Sequence, residues 1–270
     1  MAGDSRVDSL LRLVDDVRWP AAHRSDVRAR RTYERGLDTA FAFRGDPQVY
    51  VEAFQHFQAS QSCAYAFAGI AYTLMLAASW HSNELYRPGM AAAMEWLEKA
   101  QAWEPDAVAI NFIEAMIYTN LEEYENARLV LDYLWREKED SYYLHQAEIV
   151  YWYQQQEWEQ HLSWVKRTRK LAGNPLRQHH VLSALGDHFL KTGRSAEAIR
   201  VYHEVVKVAP HDPWAWHNMS VLLLELGEYD NAEACCDRAL ELMDFPAARQ
   251  VKEHIQGQRP GVNLRRLFGR

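Results

Sequence analysis

Cysteine is scarce in this chain of 270 residues: there are three, Cys63, Cys235 and Cys236. An odd set without metal-type spacing excludes a disulfide framework and fits reduced thiols, hence a cytoplasmic location. A bond between the adjacent Cys235 and Cys236 is disfavoured, because neighbouring helical positions diverge by about 100°. Glycine and proline are also few, 12 and 9 residues. They fall mostly between segments that read as helices, which suits an all-helical chain. A basic excess is missing too. With 30 basic and 37 acidic residues the net charge is −7, which argues against a general nucleic-acid binder. The start, Met1 to Arg6, opens no apolar core of the signal-peptide kind.

Charge is absent from Phe54 to Asn83, and Cys63 to Trp80 is rich in Ala, Leu and aromatics. Its length would just cross a bilayer. Yet Gln58, Ser60, Gln61 and Ser62 precede it, and Ala64, Ala66, Ala68, Gly69 and Ala71 suit a helix pressed between neighbours, so a buried helix is expected. Catalytic motifs are missing as well: no Gly-rich phosphate loop, no GxSxG elbow and no Cys-His pairing. His179, His180 and His188 cluster around Asp187, but positions 180 and 188 lie two turns apart rather than at the i, i+4 spacing of a helical zinc site. His203-Glu204 begins a HExx string, with Lys207 in the second histidine's place. The expectation is therefore no enzyme, no metal and no cofactor.

What the chain does have is a period. Stretches ending at Ala93, Ala127, His161, Ala198 and Ala232 are spaced by 34, 34, 37 and 34 residues. Three share a turn-then-helix phrase: Glu123-Tyr124-Glu125-Asn126-Ala127, Glu157-Trp158-Glu159-Gln160-His161 and Glu228-Tyr229-Asp230-Asn231-Ala232. A fixed repeat of this size marks a stacked array in which each unit is too small to bury its own apolar face.

The clearest unit runs from Leu182 to Pro210. Leu182, Leu185-Gly186 and Phe189 share one helical face, Gly193 makes the turn, and Ala198 and Tyr202 follow on a second helix. The next unit repeats this with Trp216, Met219-Ser220, Leu223, Gly227, Ala232 and Cys236. Small Gly186 and Ser220 let the two helices of a pair approach, and Ala198 and Ala232 mark the tight crossing. This pattern resembles the tetratricopeptide repeat family, strongly over residues 179–245 and more loosely over 32–245. The unit around His161 departs most, with a bulky residue at the tight position and a wider turn expected near Gly173-Asn174-Pro175.

The resemblance implies an all-α fold, a right-handed α-solenoid of stacked antiparallel helix pairs. The expected division is an N-terminal arm with a short helix over 1–30, repeats at 31–61, 62–107, 108–141, 142–178, 179–212 and 213–245, a capping helix over 246–257 and a flexible basic tail over 258–270. Arg24, Arg28, Arg30, Arg31 and Arg35 form a basic patch ahead of the first helix pair, and Trp80 to Gly89 reads as an inserted loop.

In that family the first helix of each pair lines a concave groove. Carried onto this chain, the matching positions include Trp214, His217, His180, Asp187, Phe112, Met116, Tyr143, Gln146 and Tyr153, with Tyr65 and Tyr72 extending the row. Asn218 stands where some family members place an Asn of a chaperone carboxylate clamp, but Asp187 would repel a carboxylate. The face is aromatic and weakly polar, which suits a peptide or helix with apolar side chains. Three anchors at roughly 2 kcal/mol each would give about micromolar binding. The expected function is a protein-interaction scaffold or adaptor whose partner is a peptide or helix of another protein, with no nucleic acid, no membrane insertion, and a homodimer left open. The alternatives are a peptide- or ligand-sensing regulator and a metal-dependent enzyme.

Overall fold

The computed structural model describes residues 26–41, 48–80, 83–137 and 140–258. Among them are thirteen α-helices and no strand. In chain order these are α1 Val27–Phe41, α2 Gln48–Ala59, α3 Cys63–Trp80, α4 Asn83–Gln101, α5 Val108–Asn120, α6 Tyr124–Arg136 and α7 Tyr142–Gln154. There follow α8 Trp158–Thr168, α9 Pro175–Lys191, α10 Ser195–Val208, α11 Pro213–Glu225, α12 Tyr229–Leu242 and α13 Pro246–Gln258. They form two compact units, one ending at Val181 and the other starting at Leu182, so the division lies within α9.

Within the first unit each helix from α1 to α7 packs on its successor, and the first helices of successive pairs also touch, α1 with α3, α3 with α5 and α5 with α7. That is the nesting a 34-residue period demands, because a lone pair leaves one face uncovered. The tight positions behave as their size predicts: Ala93, Ala127, Ala198 and Ala232 are all fully buried. His161, the bulky exception, is fully buried too, its ring 5.4 Å from that of Tyr153 and 6.3 Å from that of Trp158. In the second unit a Cβ on Gly186 would come within 2.8 Å of the Tyr202 ring, so α9 and α10 approach as closely as glycine allows.

The turns show the period more clearly than the sequence did. Glu122, Gln156, Gly193 and Gly227 have φ of 63°, 60°, 71° and 76°. After each, an amide bonds back five residues: Glu123 to Tyr118, Glu157 to Trp152, Arg194 to Phe189 and Glu228 to Leu223, at 2.8 to 3.1 Å. All four pairs thus share one left-handed closure, but only the last two have glycine there.

Two expectations are revised. The stretch 80–89, expected as a loop, is helical from Asn83 on, and Pro88 sits inside α4. Close packing explains it, since a Cβ on Gly89 would meet that of Ala78 on α3 at 2.6 Å. Residues 81 and 82 of this stretch lie outside the described residues. Arg28, Arg30, Arg31 and Arg35 are not ahead of the first helix pair but inside α1. Arg24, most of the expected arm and residues 259–270 of the expected tail fall outside the described residues.

The charge-free helix α3 is buried along nearly its whole length, as a helix between neighbours should be. Its start is capped by the Ser62 hydroxyl, which accepts from the Tyr65 amide at 3.3 Å. Among the described residues no helix is long and apolar enough to cross a membrane.

Candidate functional site

Helix α1 does more than pair with α2. One side of it carries Tyr33, Glu34, Leu37, Asp38 and Phe41, spaced by the 3.6-residue period that puts them on one face. This side meets the first helices of the pairs in the first unit. Tyr33 stacks on Tyr65 of α3 at 4.9 Å between ring centroids. The Tyr143 hydroxyl of α7 stands 2.7 Å from the Glu34 carbonyl oxygen and 2.8 Å from Asp38 Oδ1. Phe41 packs on His180 of α9 at 3.7 Å. The opposite side presents Arg28, Arg31 and Arg35, all exposed. Phe57 of α2 wedges α1 against α3, where Cβ atoms on Gly36 and Gly69 would both fall 2.4 Å from its ring.

The polar centre of this contact is Arg177. Its Nε donates to Asp38 Oδ1 at 3.1 Å and Oδ2 at 3.2 Å. Its Nη2 reaches the Tyr143 hydroxyl at 3.1 Å and Glu34 Oε2 at 3.4 Å. The guanidinium carbon lies 4.6 Å from the Tyr142 ring centroid and 5.0 Å from that of Tyr143, a cation–π arrangement. Asn174 completes the set: its Nδ2 donates to Asp38 Oδ2 at 3.0 Å, and its Oδ1 accepts from the Arg177 amide at 2.9 Å. The wider turn expected at Gly173-Asn174-Pro175 is a 3-10 turn, Arg169–Leu171, followed by this cap.

Burial works against the Arg177 charge, but the facing Tyr143 and Asp38 outweigh it and raise its pKa. Burial raises the Tyr143 hydroxyl well above the ordinary phenol range, and the Asp38 charge adds to it. Tyr143 therefore stays protonated and serves as a donor. The cluster is a largely desolvated ion pair to which Tyr143, Asn174 and Glu34 add hydrogen bonds, the condition under which such pairs hold.

The rest of the expected row divides by unit. In the first, Tyr65, Tyr72, Phe112, Met116, Tyr143, Gln146 and His180 are all buried, and Tyr153 is half-buried. Phe112 bridges Tyr72 at 5.9 Å and Tyr143 at 5.4 Å, so the aromatics form one continuous layer. Tyr153 stands apart, its ring 5.6 Å from Trp158. Tyr72 faces Gln146 within this layer. In the second unit, Asp187 accepts from the Tyr202 hydroxyl at 2.6 Å and Asn218 Nδ2 donates to the same oxygen at 3.0 Å. Trp214 and His217 pack on Phe245, with ring centroids 4.5 and 5.3 Å away. Burial depresses the His217 pKa.

Sequence reasoning did not pick out Glu34, Asp38, Asn174 or Arg177. The acid pair at i, i+4 was masked by the arginines around it. Asn174 before Pro175 was a legible helix cap, but nothing in the sequence tied it to position 38. It also passed over Glu148, whose two oxygens accept from Arg128 at 2.9 and 3.1 Å and from the indoles of Trp135 and Trp152 at 2.7 and 2.9 Å. The histidine cluster has structural partners: His180 Nδ1 lies 3.2 Å from the Tyr142 hydroxyl. Among the described residues no group of three or more His, Cys, Asp or Glu is placed to hold a metal ion.

Comparison with known proteins bears on the fold. A tetratricopeptide repeat family model matches residues 189–255. The Cut9–Hcn1 hetero-tetramer of the APC/C is similar with a TM-score of 0.62 at 13% identity, over 93% of this chain and 46% of that one. PilF of Pseudomonas aeruginosa gives 0.56 at 16% identity, over 76% of this chain and 92% of its own. A signal transduction ATPase with a tetratricopeptide repeat sensor, from Pyrococcus horikoshii, gives 0.53 at 17% identity over 85% of this chain and 42% of that one. No curated protein matches the chain. The resemblance to the tetratricopeptide repeat family is thus shown, by the family model over residues 189–255 and by the fold of stacked helix pairs over most of the chain.

Proposed function

We propose that the chain is a non-enzymatic, cytoplasmic interaction module that receives a helix or peptide of a partner protein on the inner face of its first helices. The observation that carries this reading is α1 itself. The face formed by α3, α7 and the start of α9 holds a helix through one aromatic stack, one ion-pair cluster and one ring-on-ring contact. A surface that seats one helix with these elements has the chemistry to seat another. Ordered helix pairs lower the cost of binding, because little backbone is fixed when the partner arrives.

A second reading, a regulator that senses a peptide, is favoured by the same observation, since a partner would have to compete with α1. The test is a displayed library of helical and extended peptides selected on the full chain. Selected peptides are expected to lose at least tenfold in affinity, about 1.4 kcal/mol, when Tyr65→Ala and Tyr143→Ala are combined. Peptides indifferent to both changes would remove the inner face from the binding surface.

A further inference from the structure

We infer that α1 is an internal competitor, and that the natural occupant it mimics is a helix of a partner presenting on one face an aromatic residue, an acid beside it, a second acid four residues on, and a further aromatic three residues later. The inference rests on the proposed function and gives it a partner chemistry.

The pattern is read from α1 itself, Tyr33-Glu34, then Asp38, then Phe41. Each element has a receiver already in place. Tyr65 stacks on the first ring and His180 packs on the last. Between them Arg177, Asn174 and the Tyr143 hydroxyl converge on the carboxylates. Tyr65 sits on the adjoining first helix, as repeat packing requires, but Tyr143, Asn174 and Arg177 meet α1 across 105, 136 and 139 residues of sequence, beyond nearest-neighbour stacking. A guanidinium resting against two tyrosine rings, with a capping amide beside it, reads a carboxylate by geometry as well as charge.

Two features suit α1 to being displaced. Part of its seat is polar, at Arg177, Asn174 and Tyr143, and water can replace those contacts on release. The helix also buries its own Tyr33 hydroxyl without a hydrogen-bond partner among the described residues. Undocking returns that hydroxyl to solvent, which offsets part of the lost contact. A tethered competitor of this kind lowers the apparent affinity of any outside ligand by the fraction of chain in the open state.

The test uses the full chain and a fluorescein-labelled synthetic peptide of residues 26–41, read by anisotropy. Asp38→Asn in the chain weakens the internal seat and leaves Arg177 in place, so this variant should bind the peptide at least tenfold more tightly than wild type. The peptide bearing Glu34→Gln and Asp38→Asn should bind that variant at least tenfold more weakly, and adding Arg177→Gln to the chain should cause a similar loss.

Equal affinity for wild type and Asp38→Asn, or equal binding of the acid-free peptide, overturns the inference. Should Asp38→Asn prove unfolded by circular dichroism, the milder Glu34→Gln serves in its place. Hydrogen exchange of wild-type α1 amides under saturating peptide gives an independent reading: faster exchange supports displacement and unchanged exchange overturns it. A dimer of the wild-type chain that Asp38→Asn abolishes would give the face to a second copy and overturn it as well. If the α1 peptide fails while library peptides still bind through Tyr65 and Tyr143, the inference falls and the proposed function stands. If neither binds, both fall.

Discussion

The two units use the same helix pair and treat the face of its first helix differently. In the second unit the expected groove residues serve their own neighbourhood: Asp187 and Asn218 share the Tyr202 hydroxyl, and Trp214 and His217 lie against Phe245. In the first unit the same face is a buried aromatic layer with α1 laid over it. The difference follows how faithfully each unit keeps the repeat. Where glycine holds the turn and alanine the crossing, the residues answer to local packing. Where Glu122, Gln156 and His161 depart from the pattern and the spacing lengthens to 37, side chains such as Asn174 and Arg177 are placed to act across 136 and 139 residues of sequence.

The comparison can be broken most severely at the ion pair. Asp38→Ala leaves Arg177 desolvated without its principal partner and should cost about 3–5 kcal/mol, measured by chemical denaturation. A cost below about 1 kcal/mol would reduce the cluster to a surface pair. Next in size, Ala232→Trp overfills the crossing of the last pair and should cost about 1–3 kcal/mol; a melting temperature unchanged from wild type would mean the repeat register is misplaced.

The turns give a smaller, signed contrast. Gly193→Ala and Gly227→Ala should each cost about 1 kcal/mol, while Glu122→Gly and Gln156→Gly should gain up to about that amount, because a side chain at positive φ is strained. Equal effects in all four turns would dissolve the distinction between the units.

The smallest effect concerns pH. His217 is held neutral by burial, so its folded pKa lies below that of the unfolded chain, near 6.5. Unfolded chains then bind the extra proton, and the stability due to this group is complete above about pH 6.5 and lost as pH falls through the folded pKa. Melting followed between pH 7.5 and pH 5 should fall less steeply for His217→Gln than for wild type; identical slopes would place the titration elsewhere.

Much of the fold was legible because local chemistry and period agree. Ala127, Ala198 and Ala232 announced the crossings, and Gly193 and Gly227 the last two turns. Glu122 and Gln156 were not legible as turn residues, since nothing local in either favours a left-handed backbone. The stretch 80–89 misled for the same reason: Pro88-Gly89 reads as a break, and only the neighbouring Ala78 makes a glycine useful inside a helix.

The candidate site was legible by half. Family register pointed to Tyr65, Tyr143 and His180 as groove residues for a partner, and the structure shows them against α1 of the same chain. It could not supply the helix, because the pairing of Asp38 with Arg177 depends on a tertiary path that no local pattern encodes. The arginines of α1 obscured its acids, as charge of one sign on the outer face hides the opposite sign within.

The central claim is that α1 is docked against α3, α7 and the start of α9 through Asp38 and Arg177. Residue-resolved amide hydrogen exchange on the full chain, wild type against Arg177→Gln, addresses it directly. The expected result is strong protection across 30–41 in wild type, lost in the variant, while α11 and α12 exchange at the same rates in both. Fast exchange across 30–41 in the wild-type chain, or protection there that survives Arg177→Gln unaltered, would contradict it.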